Sequence, residues 1–504
     1  MNTHRFNRRR FLVTLGASTL GGFYLTRCVS SGQSQSLSTH ADHHTSVDGL
    51  LDVSLSASVG SVRLAGRQAT LLAFNHQVPG PRFEANPGDT VRIRFTNNLS
   101  ESTNLHYHGL HVSPNDKADN VFLEIPPGET ITYEFDIPNH HPGGTFWYHP
   151  HRHGLVADQV WGGLAGLFIV RGELDQIPEI QAASEAFLVF KDFALGEDGQ
   201  IQAPNRMEQR MQGREGSIVT VNGSVNPTLS IPQGGLLRLR LLNASPSRFY
   251  RLMLEDHLLY LIATDGGALS EPVELRELLL VPGERAEVLV RGEREPGQYR
   301  LLNLPYNRGG MMGGDGMMDG GMMGGGMMGG GMMRRSPANT PEDRSQTLAT
   351  LTYRGQVSPL PIPQILIPVE ALPEPQTVRQ ITLSHGMAPG QGMVFTIDGK
   401  TFHHDRIDTQ VRLDTVEDWE IANTGMMMMG FDHPFHLHTN MFQVISRNGQ
   451  PEPYRAWKDT VLVPRNEIVR IRIPFKDFAG KAVYHCHILD HEDLGMMGVI
   501  EMQG

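Results

Sequence analysis

From about Leu50 onwards, apolar and polar positions alternate in short runs, as in "TVRIRFTNNL" from Thr90, "TITYEFDIP" from Thr130 and "LAGLFIVRG" from Leu164. Alternation with a period of two gives a strand one core face, and the Pro, Gly and Asn/Asp clusters between the runs read as turns. Long helical periodicities are scarce. The pattern therefore predicts an all-β chain of sandwiches or barrels. No apolar run approaches the ~20 residues of a membrane-spanning helix.

The pattern also repeats. "FNHQVPGPRFEANPGDTVRIRFTNNL" from Phe74 is echoed by "VNGSVNPTLSIPQGGLLRLRLLNAS" from Val221 and by "IDGKTFHHDRIDTQVRLDTVEDWEIANT" from Ile397. Each copy runs from a small turn through a polar or Pro break to an alternating strand that ends near Asn. Three related β units follow, expected at 48–172, 173–355 and 376–504. The Pro-rich stretch 356–375 serves as linker between the second and third. A chain of 504 residues has room for about three domains.

Composition changes this picture at two places. Residues 1–35 read as a signal peptide: Arg8, Arg9 and Arg10 precede a short apolar stretch from Phe11 to Leu25. The Arg-Arg-x-Phe-Leu order resembles a twin-arginine signal, so export to the periplasm or cell surface is expected. Cys28 ends that stretch where a lipid-anchored protein carries its modified cysteine, although Arg27 before it fits badly. Removing the segment deletes five arginines and no acids, taking the formal charge from −11 to −16. That balance argues against nucleic acid as a partner and suits attraction of cations. The second place is "GGMMGGDGMMDGGMMGGGMMGGGMMRR" from Gly309, expected as a loop inserted in the middle unit. Its pairs Met311–Met312, Met317–Met318, Met322–Met323, Met327–Met328 and Met332–Met333 fit neither a helix face nor a strand face.

Four short stretches concentrate histidine: "LHYHGLH" from Leu105, "WYHPHRHG" from Trp147, "DHPFHLHTN" from Asp432 and "HCHILDH" from His485. Residues two apart on a strand face one way, so each His-x-His presents two imidazoles to one place. Neutral imidazole suits copper. A single such pair is commonly incidental; four of them are not. In His485-Cys486-His487 the histidines face one side and the cysteine the other, so Cys486 can bind one metal while its neighbours bind others. His491 follows Cys486 by five residues, and Met496 follows His491 by five. With one further histidine they give two imidazoles, a thiolate and a weak thioether, the ligand set of a blue copper electron-transfer site.

In these motifs, HxHG, HxH, HPxHxH and HCHxxxHxxxxM in order, the chain resembles the multicopper oxidase family, specifically three-domain bacterial laccases and cuprous oxidases. The resemblance covers essentially the whole mature chain. It implies three cupredoxin-like Greek-key domains and four copper ions between and within the first and third. His433, Cys486, His491 and Met496 would hold the type 1 ion. His106 and His436 would hold the type 2 ion, and His108, His149, His151, His438, His485 and His487 the type 3 pair. A donor is then oxidised at the type 1 site and O2 is reduced to water at the cluster. Glu492 stands where the family keeps a proton-feeding acid. Of the acids after the first motif, Asp116 and Asp119, the latter is preferred. His111 and His153 lie beside motifs and are expected to flank the site rather than ligate.

The donor is read from methionine. Thioether sulfur selects Cu(I), so the ten loop methionines, together with Met426, Met427, Met428 and Met429 just before His433, are expected to contact cuprous ion. Two other readings stand beside this one: a laccase acting on phenols and other small aromatic reductants, whose loop shields the donor site or alters its access, and a copper-sequestering protein with little turnover. A monomer is expected in each case.

Overall fold

The computed structural model describes residues 42–202, 211–311, 345–390, 392–424 and 429–504. The signal-like segment with Cys28, the methionines from Met312 to Met333, and Met426, Met427 and Met428 lie outside these residues.

The three sequence repeats form three equivalent corners. Each opens with a tight turn closed by an antiparallel bridge: Phe74 to Gln77, Val221 to Ser224 and Ile397 to Lys400. Both central residues of each turn are left-handed, with φ of 48° and 61° at Asn75–His76, 52° and 74° at Asn222–Gly223, and 51° and 73° at Asp398–Gly399. Such turns match the twist of the flanking strands and favour Asn, Asp and Gly. The first side chain of each turn also accepts a backbone N–H from the neighbouring strand, from Ser56, Val189 and Thr382 respectively. That strand runs parallel to the last strand of its repeat in all three units: Leu50–Leu64 beside Thr90–Asn98, Ser184–Phe193 beside Leu236–Asn243, and Thr377–Ala388 beside Thr415–Asn423.

Each corner belongs to a two-sheet sandwich. The first packs a four-stranded sheet on a five-stranded one around Leu55, Phe74, Phe83, Phe95 and Phe168. The second packs six strands on five around Phe190, Ile231, Leu239 and Leu252. The third packs seven strands on five around Trp419, Phe435, Ile471 and Tyr484. The chain is all-β with three cupredoxin-like sandwiches. No helix among the described residues is long and apolar enough to cross a membrane.

One strand departs from simple alternation. Every residue of Leu236–Asn243 is buried, including Arg238 and Arg240. Their face packs under the first sandwich, where Glu287 receives Arg240 at 2.6 Å, Arg238 at 2.9 Å and the Thr145 hydroxyl at 2.7 Å. Asp175 and Glu185 complete the neutralisation, at 2.8 and 2.6 Å from Arg240. Removing one member leaves buried charge without a partner. Glu287→Ala is expected to destabilise the protein by about 3–5 kcal/mol, read as a lowered urea midpoint.

Candidate metal centre

Two ladders carry the histidines. Strand His106–His108 pairs with Gly144–His149 so that His106 lies opposite His149. Strand His433–Leu437 pairs with Gly480–Cys486 so that His436 lies opposite His485. The first ladder belongs to the first sandwich and the second to the third, and the two meet face on. The His106 and His438 rings stack at 3.8 Å, and those of His108 and His436 at 3.7 Å. His151 Nε2 and His438 Nε2 each lie 3.1 Å from His485 Nε2. None of the eight rings is more than 2% exposed, so water cannot satisfy their nitrogens.

The hydrogen bonds around the rings show which nitrogens are left to coordinate. The Nδ1 atoms of His149, His436 and His485 face the carbonyls of Pro150, Asp459 and Cys486 at 2.9, 2.9 and 3.0 Å, so each donates there. His106 Nδ1 lies 2.9 Å from the Asp119 carboxylate. His108 reverses the pattern: its Nε2 contacts Asp459 at 3.0 Å. The remaining atoms, His106 Nε2, His108 Nδ1, His149 Nε2, His436 Nε2 and both nitrogens of His487, are buried without a hydrogen-bond partner. Orphaned buried polar atoms are costly, and a partner that fixes one nitrogen of a ligating imidazole is the usual support of a metal site. Burial also holds His106, His108, His149, His438 and His487 well below the ordinary histidine range, and His151 at about 4. Those six rings are therefore neutral, the form in which imidazole binds a metal.

A smaller cluster lies on the other face of the same strand. His433 Nδ1 is 3.3 Å from the Cys486 sulfur and 3.3 Å from His491 Nδ1, which is 3.8 Å from the sulfur. All three side chains are fully buried, and Cys486 is a free thiol. Met496 is also fully buried. Its backbone is clamped between two of them: the Met496 N–H donates to the His491 carbonyl at 2.9 Å, and its carbonyl accepts the Cys486 N–H at 3.1 Å. Phe395 stacks on His491 at 3.8 Å, and the Met211 carbonyl lies 3.1 Å from His491 Nε2. Two imidazoles and a thiolate in a dry apolar shell fit copper.

The carboxylates expected beside the cluster are there. Asp119 touches His106 and accepts the Tyr107 N–H at 2.9 Å; burial pushes its carboxyl up to about 8 against that N–H. Glu492, fully buried, lies 3.1 Å from His485 Nδ1 and 3.5 Å from His151 Nε2. Burial alone would raise Glu492, but His485, His151 and His149 hold it at about 2. Three groups carry no sequence motif. Asp459 supports both His108 and His436 and is itself gripped by Arg285 of the middle sandwich, through NH1 at 2.9 Å. A Cβ at Gly109, the glycine of HxHG, would collide with that Arg285–Asp459 pair. A Cβ at Gly283 would meet the His487 ring at 2.9 Å. No local spacing signals Asp459 or Arg285, because their partners lie far off in sequence.

Models described as multicopper oxidase match residues 57–175, 192–313 and 372–503. The multicopper oxidase mco of Staphylococcus haemolyticus is 30% identical over 436 residues, 86% of this chain and 83% of its own. The chain belongs to the multicopper oxidase family. A solved multicopper oxidase from Campylobacter jejuni, described as a metallo-oxidase, aligns with a TM-score of 0.76 at 31% identity, covering 91% of this chain and 92% of that one. The cell division protein FtsP of Proteus mirabilis is 27% identical over 451 residues, 87% of this chain and 86% of its own. As a multicopper oxidase the chain takes copper as cofactor and couples oxidation of a donor to reduction of O2.

Supporting carboxylates of ligating histidines govern metal retention in such sites. Asp119→Ala frees His106 Nδ1, and copper affinity at the histidine cluster is expected to fall about 10–100-fold. Copper content after dialysis against graded chelator reads this directly.

Proposed function

We propose that this multicopper oxidase is exported by the twin-arginine route and oxidises Cu(I) as its physiological donor, accepting small phenols as well, in the service of copper tolerance. Four copper ions would be held: one by His433, Cys486 and His491 with Met496 as a weak fourth ligand, one by His106 and His436, and a pair by His108, His149, His151, His438, His485 and His487. Bound there, copper supplies one-electron oxidation of the donor at the first site and four-electron reduction of O2 to water at the cluster. Cys486 joins the two places through the backbone of His485 and His487, which would give electrons a covalent path between them. Glu492 holds a proton position at His485 Nδ1, and Asp119 one at His106 Nδ1. Asp459 and Arg285 keep His108 turned with Nδ1 inward. Phe395 and the packed shell around His491 keep water from the thiolate.

One observation carries the choice of donor. Gly309–Met311 pairs antiparallel with Met429–Phe431, setting Met311 in register with Met429, and Phe431 lies two residues before His433. The two methionine-rich stretches of the sequence are thus joined at the backbone beside the mononuclear site. Methionine supplies soft thioether sulfur, which favours Cu(I) over a hard or organic donor.

Oxygen uptake by the copper-loaded mature protein tests the reading, with chelator-buffered Cu(I) and a phenolic donor supplied separately. The intact chain is compared with one lacking residues 312–333, a deletion that keeps the ribbon. Deletion is expected to slow Cu(I) turnover several-fold while phenol oxidation holds or rises. Equal rates with both donors would make the insert a spacer and the enzyme a laccase. No uptake with either donor would leave copper sequestration.

A further inference from the structure

A second histidine and carboxylate cluster lies outside the copper motifs, where the first and third sandwiches meet. His111 Nδ1 is 2.6 Å from the Thr439 carbonyl, an acceptor only, so Nδ1 must carry the hydrogen. In a neutral ring Nε2 then presents a lone pair, yet it faces Asp477 Oδ2 at 2.8 Å. His140 Nε2 approaches the same oxygen at 3.2 Å. A lone pair held against a carboxylate oxygen needs a positive charge between them, either a proton or a metal ion.

We propose that His111, His140 and Asp477 bind a divalent transition-metal ion that staples the first sandwich to the third. Donors around a tetrahedral ion with bonds of ~2.0–2.1 Å stand about 3.3 Å apart. The two imidazole nitrogens stand 2.8 and 3.2 Å from the Asp477 oxygen, somewhat inside that spacing and inside the 3.3, 3.3 and 3.8 Å among His433, Cys486 and His491. The neighbouring histidine is not a competing ligand. His141 Nδ1 donates to the Pro142 carbonyl at 2.9 Å and its Nε2 accepts the His111 N–H at 3.0 Å, which commits both nitrogens.

The site is open to ions. Its side chains are 14%, 66% and 35% exposed at His111, His140 and Asp477, and they rim a cavity of about 300 Å³ floored by Met441 and Trp457. Lys476 lines the same cavity, which disfavours ions held by charge alone and favours ones bound by imidazole coordination. Both groups contributed by the third sandwich sit on left-handed backbone, φ being 65° at Thr439 and 68° at Asp477. That conformation is unusual for a β-branched residue, and here it coincides with a carbonyl facing His111. His111 follows His108 by three residues and Thr439 follows His438 by one, so an ion bound here ties together the two chain segments that build the histidine cluster.

The test is calorimetric titration of the copper-loaded holoenzyme with Zn2+, whose own coppers are followed by their visible absorption. The wild type is expected to take up one equivalent of Zn2+ that both His140→Gln and Asp477→Asn lose, with the visible absorption unchanged throughout. Zn2+ should also raise the thermal midpoint of the wild type and leave those of the two variants where they are. Identical zinc stoichiometry in wild type and variants would overturn the proposal, as would no uptake by the wild type. In either case the charge between His111 and Asp477 is a proton.

Discussion

Successive side chains of an extended strand face opposite ways, and at His485-Cys486-His487 this one property separates two chemistries by a single residue. The thiolate is turned into the apolar core of the third sandwich, among Phe395, Phe435 and Ile488. The flanking imidazoles are turned out to the seam with the first sandwich. Neither environment would serve the other function. The sulfur must be kept dry and immobile, whereas the imidazoles must converge with two others of their own sandwich and four from the first. A one-residue slip of this strand against His433–Leu437 would exchange the two sides and destroy both. Its register is secured on each edge: Phe435 lies opposite Cys486 on one side, and the strand Met497–Gln503 pairs along the other.

The seam itself is unfavourable without its ions. Eight buried imidazoles gather there with several nitrogens unpaired, a set of groups that apolar packing alone would expel. Metal binding would offset that cost, so loading of copper stabilises the contact between the first and third sandwiches. The middle sandwich contributes no imidazole to the cluster, yet it is not a bystander. Arg285 reaches across to lock Asp459, and Gly283 gives His487 its room. The buried arginines of Leu236–Asn243 fasten the same sandwich to the first.

Much of this was legible in the chain, because the histidines sit in local motifs whose spacing has a geometric meaning. Period-two histidines imply strand positions, and they are on or next to strands. The three repeats implied three like units, and Asn75, Asn222 and Asp398 occupy the same turn position in each. What could not be read depends on contacts between distant segments. Asp459 is separated from His108 by 351 positions. Leu236–Asn243 alternates as a half-exposed strand would, but its polar face is covered by another sandwich. His111 lies outside the family motifs as expected, yet the carboxylate it meets comes from residue 477. The pairing of Met311 with Met429 likewise joins two stretches that the sequence presents only as similar in composition.

That pairing has a consequence for supply. Chain continuing past Met311 starts from a fixed point beside the mononuclear site, and five further residues can carry it at most roughly 18 Å away. An ion held anywhere on that span belongs to a tethered donor, whose effective concentration at the site is on the order of millimolar. With Cu(I) as the proposed donor, the six-residue ribbon would bound the distance between captured ion and site.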